Sequence, residues 1–195
     1  IIPEITMDSK SVKVAVIGCG YWGKNLVRNF HSLGALKLVC DLSEQGRAVA
    51  SELAPGVECS DQIENAIERA DIQAVVLATP AETHERLSLY ALKAGKDVYV
   101  EKPMALTVAE GERMEAAAVE GKRLLMVGHI LEYHPAIVKL KELIDEGALG
   151  NTQYIFSNRL NFGKIRTEEN ALWSFAPHDI SMILSTLKLN CSLIH

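Results

Sequence analysis

The sequence switches repeatedly between two hydrophobic patterns, and this alternation constrains the fold more than any other feature. Short apolar runs recur as VKVAVIG (12–18), LKLVCD (36–41), VEC (57–59), QAVVLA (73–78), DVYVEK (97–102) and LLMVG (124–128). Between them, apolar residues fall at helical spacing. The first helical pattern sets Leu26, Val27, Phe30 and Leu33 on one face, with Gly34 placed to end it. A second covers 44–54 and stops at Pro55-Gly56; a third carries Ile63, Ala66, Ile67 and Ala70. A fourth covers 83–94 and stops at Gly95. The fifth opens with TVAE (107–110), where Thr107 caps and Glu110 reaches back, and runs to Gly121. Strands that are apolar throughout, rather than at every second position, are covered on both faces. Alternating with helices, they predict an α/β fold, a doubly wound parallel sheet, over residues 1–129.

The pattern changes after that. PAIVKLKELIDEGALG (135–150) reads as an amphipathic helix ending in a Gly-rich turn, and TQYIFSNRL (152–160) as a longer strand of mixed polarity. NFGKIRTEEN (161–170) reads as a polar loop and HDISMILSTL (178–187) as a helix. Residues 130–195 are therefore expected to be the opening of an α+β domain, left incomplete. So few elements cannot bury their apolar faces unaided, so they must lean on the first domain, another chain or further residues.

Composition removes several function classes. A chain of 195 residues, 48% hydrophobic, can bury a core without metals or disulfides. A net charge of −5 with no basic cluster argues against nucleic acid and anionic membranes as partners. Cys19, Cys40, Cys59 and Cys191 include no C-x-x-C pair, which suits a reduced, cytoplasmic protein better than a disulfide scaffold or a metal site. No apolar run approaches the roughly 18 residues of a membrane span. The opening IIPEITMDSKS lacks the features of a signal peptide, and Met7 is a candidate natural start.

Gly18, Gly20 and Gly23 stand at G-x-G-x-x-G spacing between the first strand and the first helix. In that setting the first glycine makes the turn, the second lets a pyrophosphate approach the backbone, and the third lets helix and strand pack closely. The helix N-terminus favours the phosphate charge. A ligand-free glycine turn is the alternative. Asp41 ends the second strand 18 residues after Gly23, where a dinucleotide-binding Rossmann domain places the acid that binds the ribose hydroxyls. No arginine follows at once to receive a 2′-phosphate, so NAD is favoured over NADP. Alternatively, Asp41 only caps the next helix.

In open α/β sheets ligands bind beyond the carboxyl ends of the strands. Those ends carry Gly18–Gly23, Asp41, Thr79-Pro80, Glu101-Lys102-Pro103 and Gly128-His129. Lys102 ends a buried strand, an odd structural position unless it only snorkels beside Glu101. In a partly desolvated pocket it would suit hydrogen bonding to a hydroxyl or proton relay. His178, behind Pro177 at the expected head of the last helix, would suit acid–base work or simple capping. His84, His129 and His134 are further candidates, and Cys19 reads as a small filler rather than a nucleophile.

VAVIGCGYWGKN (14–25), VVLATPAETH (75–84), EKPMALT (101–107), VGHILEYHPA (127–136) and LWSFAPHDISM (172–182) together resemble the Gfo/Idh/MocA family of nicotinamide-dependent sugar oxidoreductases. The forms of GYWGKN, YHPA and FGKIR look most like the branch acting on nucleotide-linked amino sugars or uronates. The resemblance implies hydride transfer between a ring CH–OH and NAD, with Lys102 and His178 catalytic and a cis peptide before Pro103. It also implies that Tyr21, Trp22, Thr79, Pro80, His84, Glu101 and Lys102 line the cofactor. Lys102, His134, Ser174 and His178 would face the substrate. Many relatives carry Asp where this chain has Ser174. Relatives also have a longer second domain that mediates homo-oligomers, so this chain is expected to be truncated. A non-catalytic dinucleotide-binding module is the rival reading.

Overall fold

The computed structural model describes residues 12–158, 160 and 171–187, the backbone alone for 171–175. The chain divides into two compact units between Gly128 and His129.

The first unit is built from β1 (Val14–Ile17), α1 (Gly23–Ser32), β2 (Leu36–Cys40), α2 (Glu44–Leu53), β3 (Glu58–Ser60) and α3 (Ile63–Ile67). It continues through β4 (Ala74–Leu77), α4 (His84–Lys93), β5 (Asp97–Val100), α5 (Val108–Gly121) and β6 (Leu125–Val127). The strands form one sheet in the order β3-β2-β1-β4-β5-β6. Every pairing is parallel. This is the doubly wound Rossmann arrangement, with its strand order reversing between β1 and β4.

The continuous apolar runs have a simple cause. Ala15 and Ile17 of β1 pack into a core on one face with Leu38, Leu77, Leu87 and Met114. Val14 and Val16 pack on the other face with Val27, Val39 and Ala50. Side chains alternate along a strand, so a sheet with both faces buried needs an apolar residue at every position. Each fully buried Val, Leu or Ile contributes about 1.5–3 kcal/mol.

Helix ends follow local chemistry. The Thr107–Glu110 capping box is present at the start of α5. Gly34 and Gly95 take positive φ just past α1 and α4. Leu33 does not join the apolar face of α1: it lies past the last turn and is 73% exposed. Ala70 likewise falls outside the short α3 and is exposed.

The second unit holds α6 (Pro135–Asp145) and α7 (Ala171–Leu187). Two expectations are corrected here. Residues 152–158 form no strand, since none of the described residues pairs with them in a ladder. The last helix begins at Ala171, not near 178, and runs through Pro177. Proline is common in a first helical turn, which is why it reads as a start in sequence. The predicted polar loop over 161–170 lies outside the described residues.

Candidate active site

The sheet sets the site by extending each ladder one residue beyond the strands. Gly18 N–H donates to Cys40 O at 2.8 Å, Asp41 N–H to Ser60 O at 3.0 Å and Ala78 N–H to Ile17 O at 2.8 Å. Glu101 N–H donates to Leu77 O at 3.0 Å and Gly128 N–H to Val100 O at 2.8 Å. The residues that follow five of the strands are thus held level along one edge, across the switch point.

The glycine loop turns at that edge. Gly18 has φ +95°, and a Cβ there would lie 2.6 Å from Ala78 O. At Gly23 a Cβ would run into the Gly18 carbonyl oxygen and lie 3.2 Å from Ala78 Cβ. These two glycines are demanded by the close approach of β4 and α1. Gly20 is different: a Cβ there meets nothing within 4 Å, so its backbone faces open space. The N-terminus of α1 carries neither a side-chain cap nor an acidic residue in its first turn. An open glycine backbone beside an uncapped helix N-terminus suits a pyrophosphate.

Asp41 is held from two directions. Its Oδ2 accepts the Cys19 N–H at 2.6 Å, and its Oδ1 accepts the Ser43 N–H at 2.8 Å and the Ser43 hydroxyl at 2.6 Å. Ser43, not Asp41, is the N-cap of α2, accepting the Gly46 N–H at 3.0 Å. Partial burial pushes the Asp41 carboxyl up, but the Ser43 hydroxyl, the two backbone N–H groups and the Arg47 charge outweigh it and hold it below its ordinary value. Burial, and then the Asp41 charge, push the thiols of Cys19 and Cys40 up to about 11. Cys19 is therefore a protonated filler, not a nucleophile.

Glu101 is 7% exposed and lies on the edge just beyond β5. Its Oε1 accepts the Trp22 indole N–H at 2.8 Å and the Tyr99 hydroxyl at 3.2 Å, and its Oε2 accepts the Lys102 N–H at 3.3 Å. Gly128 leaves room for this group, because a Cβ there would lie 2.7 Å from Tyr99 Oη. The Lys102–Pro103 peptide is cis, and Lys102 is half-buried just beyond β5. Pro80 is exposed; the hydroxyls of Thr79 and Thr83 lie 2.7 Å apart. Tyr21 is exposed in the glycine loop, with Lys24 Nζ 5.6 Å from its ring centroid.

His84 takes a different place from the one expected. Its ring is 1% exposed, with Nδ1 2.8 Å from Pro103 O and Nε2 2.9 Å from Thr79 O. Both nitrogens face backbone carbonyls, leaving no polar atom to contact a cofactor. The ring links the turns after β4 and β5 from beneath the edge. His134 and His178 belong to the second unit. His134 caps α6, its Nδ1 accepting the Ala136 N–H at 3.2 Å. His178 lies inside α7 rather than at its head. The side chain of Ser174 lies outside the described residues. Ser43, Gly46 and Tyr99 are the positioning residues that sequence reasoning missed. Of these, only the Ser43–Gly46 spacing, that of an N-cap and its third helical residue, left a readable signal.

Residues 12–129 match the family described as "Oxidoreductase family, NAD-binding Rossmann fold", Gfo/Idh/MocA. Inositol 2-dehydrogenase 1 of Saccharopolyspora erythraea is 32% identical over 180 residues, covering 89% of this chain and 53% of that protein. A 2,7-anhydro-N-acetylneuraminate hydratase of Mediterraneibacter gnavus is 31% identical over 151 residues, covering 77% of this chain and 40% of that protein. A crystal structure from Klebsiella pneumoniae, of a protein itself assigned only to the oxidoreductases, superposes with a TM-score of 0.77 at 29% identity. It covers 90% of this chain and 50% of that one. The chain spans about half the length of the curated relatives it matches.

Proposed function

We propose, for a chain that belongs to the Gfo/Idh/MocA family of NAD-binding oxidoreductases, that it takes part in oxidising a ring CH–OH group of a sugar alcohol such as an inositol. The observation that carries this reading is the level edge itself. It brings the open Gly20 backbone, the Asp41 carboxylate and Lys102 to one edge of the sheet, on either side of its switch point.

When bound there, NAD supplies the acceptor for the hydride leaving the carbinol carbon. The chain does the rest. Gly18, Gly20, Gly23 and the α1 N-terminus hold the pyrophosphate, and Asp41 accepts hydrogen bonds from the ribose hydroxyls and repels a 2′-phosphate. Tyr21, Trp22, Thr79, Pro80 and Glu101 shape the edge toward the nicotinamide. Lys102 bonds the reacting oxygen, and His178 takes the hydroxyl proton as the carbonyl forms. His134 and Ser174 contribute to substrate binding. Residues 1–129 are the cofactor domain and 130–195 part of a substrate domain.

Inositol dehydrogenases among the relatives favour a free polyol over the nucleotide-linked amino sugar suggested by the loop motifs. A relative named as a hydratase makes product identification part of the test. The experiment is NAD binding by calorimetry, followed by product analysis with inositols, free sugars and nucleotide sugars. NAD binding with oxidation of a polyol supports the reading. Binding without turnover on any substrate contradicts it and favours the dinucleotide-binding module.

A further inference from the structure

We propose that Gly46 sets cofactor specificity by leaving the space in which the Asp41 carboxylate sits. The proposal rests on the reading of Asp41 as the ribose-binding acid. Gly46 is buried in the first turn of α2. A Cβ built on it would overlap Cγ and Oδ1 of Asp41 and lie 2.6 Å from Oδ2. No other glycine among the described residues is pressed by Asp41. Gly18 and Gly23 are crowded by backbone, whereas Gly20 is open.

Backbone conformation does not demand glycine here. Gly46 is absent from the positive-φ glycines, and it sits inside a helix, where alanine is intrinsically the better residue. What the position supplies is space and one N–H. That N–H donates to Ser43 Oγ at 3.0 Å, and the same hydroxyl donates onward to Asp41 Oδ1 at 2.6 Å. Gly46 therefore both orients the hydroxyl that holds Asp41 and leaves room for the carboxylate so held. From the other side the Cys19 N–H fixes Oδ2 at 2.6 Å, tying the seat to the glycine loop.

A methyl group at this position forces the carboxylate out of its seat and breaks part of this set. The acid that would meet the ribose and repel a 2′-phosphate is then misplaced. Arg47 remains beside the same strand end, its Nη1 donating to Asp41 O at 2.9 Å and Leu42 O at 3.0 Å. The edge shifts from a fixed anion toward a cation, so discrimination against NADP weakens.

The test is the ratio of NADP to NAD dissociation constants, by calorimetry, in wild type, Gly46→Ala, Asp41→Ala and the double variant. Gly111→Ala is the control, at a helical glycine whose Cβ would approach only Met104 Cε, at 3.7 Å. Gly46→Ala should lower the ratio about tenfold, the scale of a hydrogen bond to a charged group. It should have no further effect once Asp41 is alanine, because the two act through one contact. Gly111→Ala should leave the ratio unchanged. A ratio lowered by Asp41→Ala but not by Gly46→Ala overturns the proposal and leaves the ribose reading standing. A ratio unmoved by Asp41→Ala overturns the ribose reading and the proposal with it. If Gly46→Ala does not fold, recovery of folding in the double variant supports the proposal, and failure to recover overturns it.

Discussion

The indole N–H of Trp22 donates to the buried carboxylate of Glu101 at 2.8 Å. The glycine loop after β1 is thereby tied to the end of β5, one residue before Lys102. Two segments 79 residues apart share one acceptor, which also takes the Tyr99 hydroxyl and the Lys102 N–H.

Trp22→Phe keeps the ring and removes the donor. Glu101 retains two partners, so the fold should lose little. The loop loses its tether, and NAD affinity should fall roughly three- to tenfold, in line with about 1 kcal/mol for one hydrogen bond. Calorimetry on the variant measures this, and an unchanged dissociation constant contradicts the tether.

His84→Phe should act on stability first. It removes the ring N–H available to the carbonyls of Pro103 and Thr79, at a cost of about 1–3 kcal/mol for a carbonyl left unsatisfied. Urea denaturation should show a clearly lower midpoint. His84→Phe with wild-type stability and selectively weakened NAD binding would return this residue to the cofactor side.

Acid should reveal the bonds that hold Asp41. Its carboxyl is held below its ordinary 3.8, so its stabilising contribution is complete above that value and fades as the pH falls through the folded value. Wild type should be more stable than Asp41→Asn at neutral pH, with the difference shrinking below pH 3.8. Urea midpoints at neutral and acid pH compare the two, and a gap that widens in acid would reverse the sign of the argument.

Legibility in the sequence followed the physics of each element. Strands β1, β2 and β4 could be read because both faces are buried, which writes Val14 and Val16 next to Ala15 and Ile17 without a polar break. The Thr107–Glu110 box is local chemistry and reads directly. The cis peptide at Lys102–Pro103 was implied by the EKP motif. Residues 152–158 misled because a strand is defined by its partner, which composition does not show. Pro177 misled because a proline early in a helix and one inside it look alike until the backbone is traced. The sequence-derived edge residues collect on one side because strand ends set their place. The place of His84 depends on a contact across the fold, to Pro103 O, that leaves no periodic trace. The room that Gly46 leaves for Asp41 shows only once the turn between β2 and α2 is traced.

The most direct measurement of the account is Lys102→Ala, assayed for both NAD affinity and turnover of a polyol accepted by the wild type. The account predicts a dissociation constant for NAD close to wild type and turnover reduced by at least about 100-fold, the scale of a positioned acid–base group. Parallel loss of both would contradict it, making Lys102 part of the cofactor cradle or the fold rather than of the chemistry.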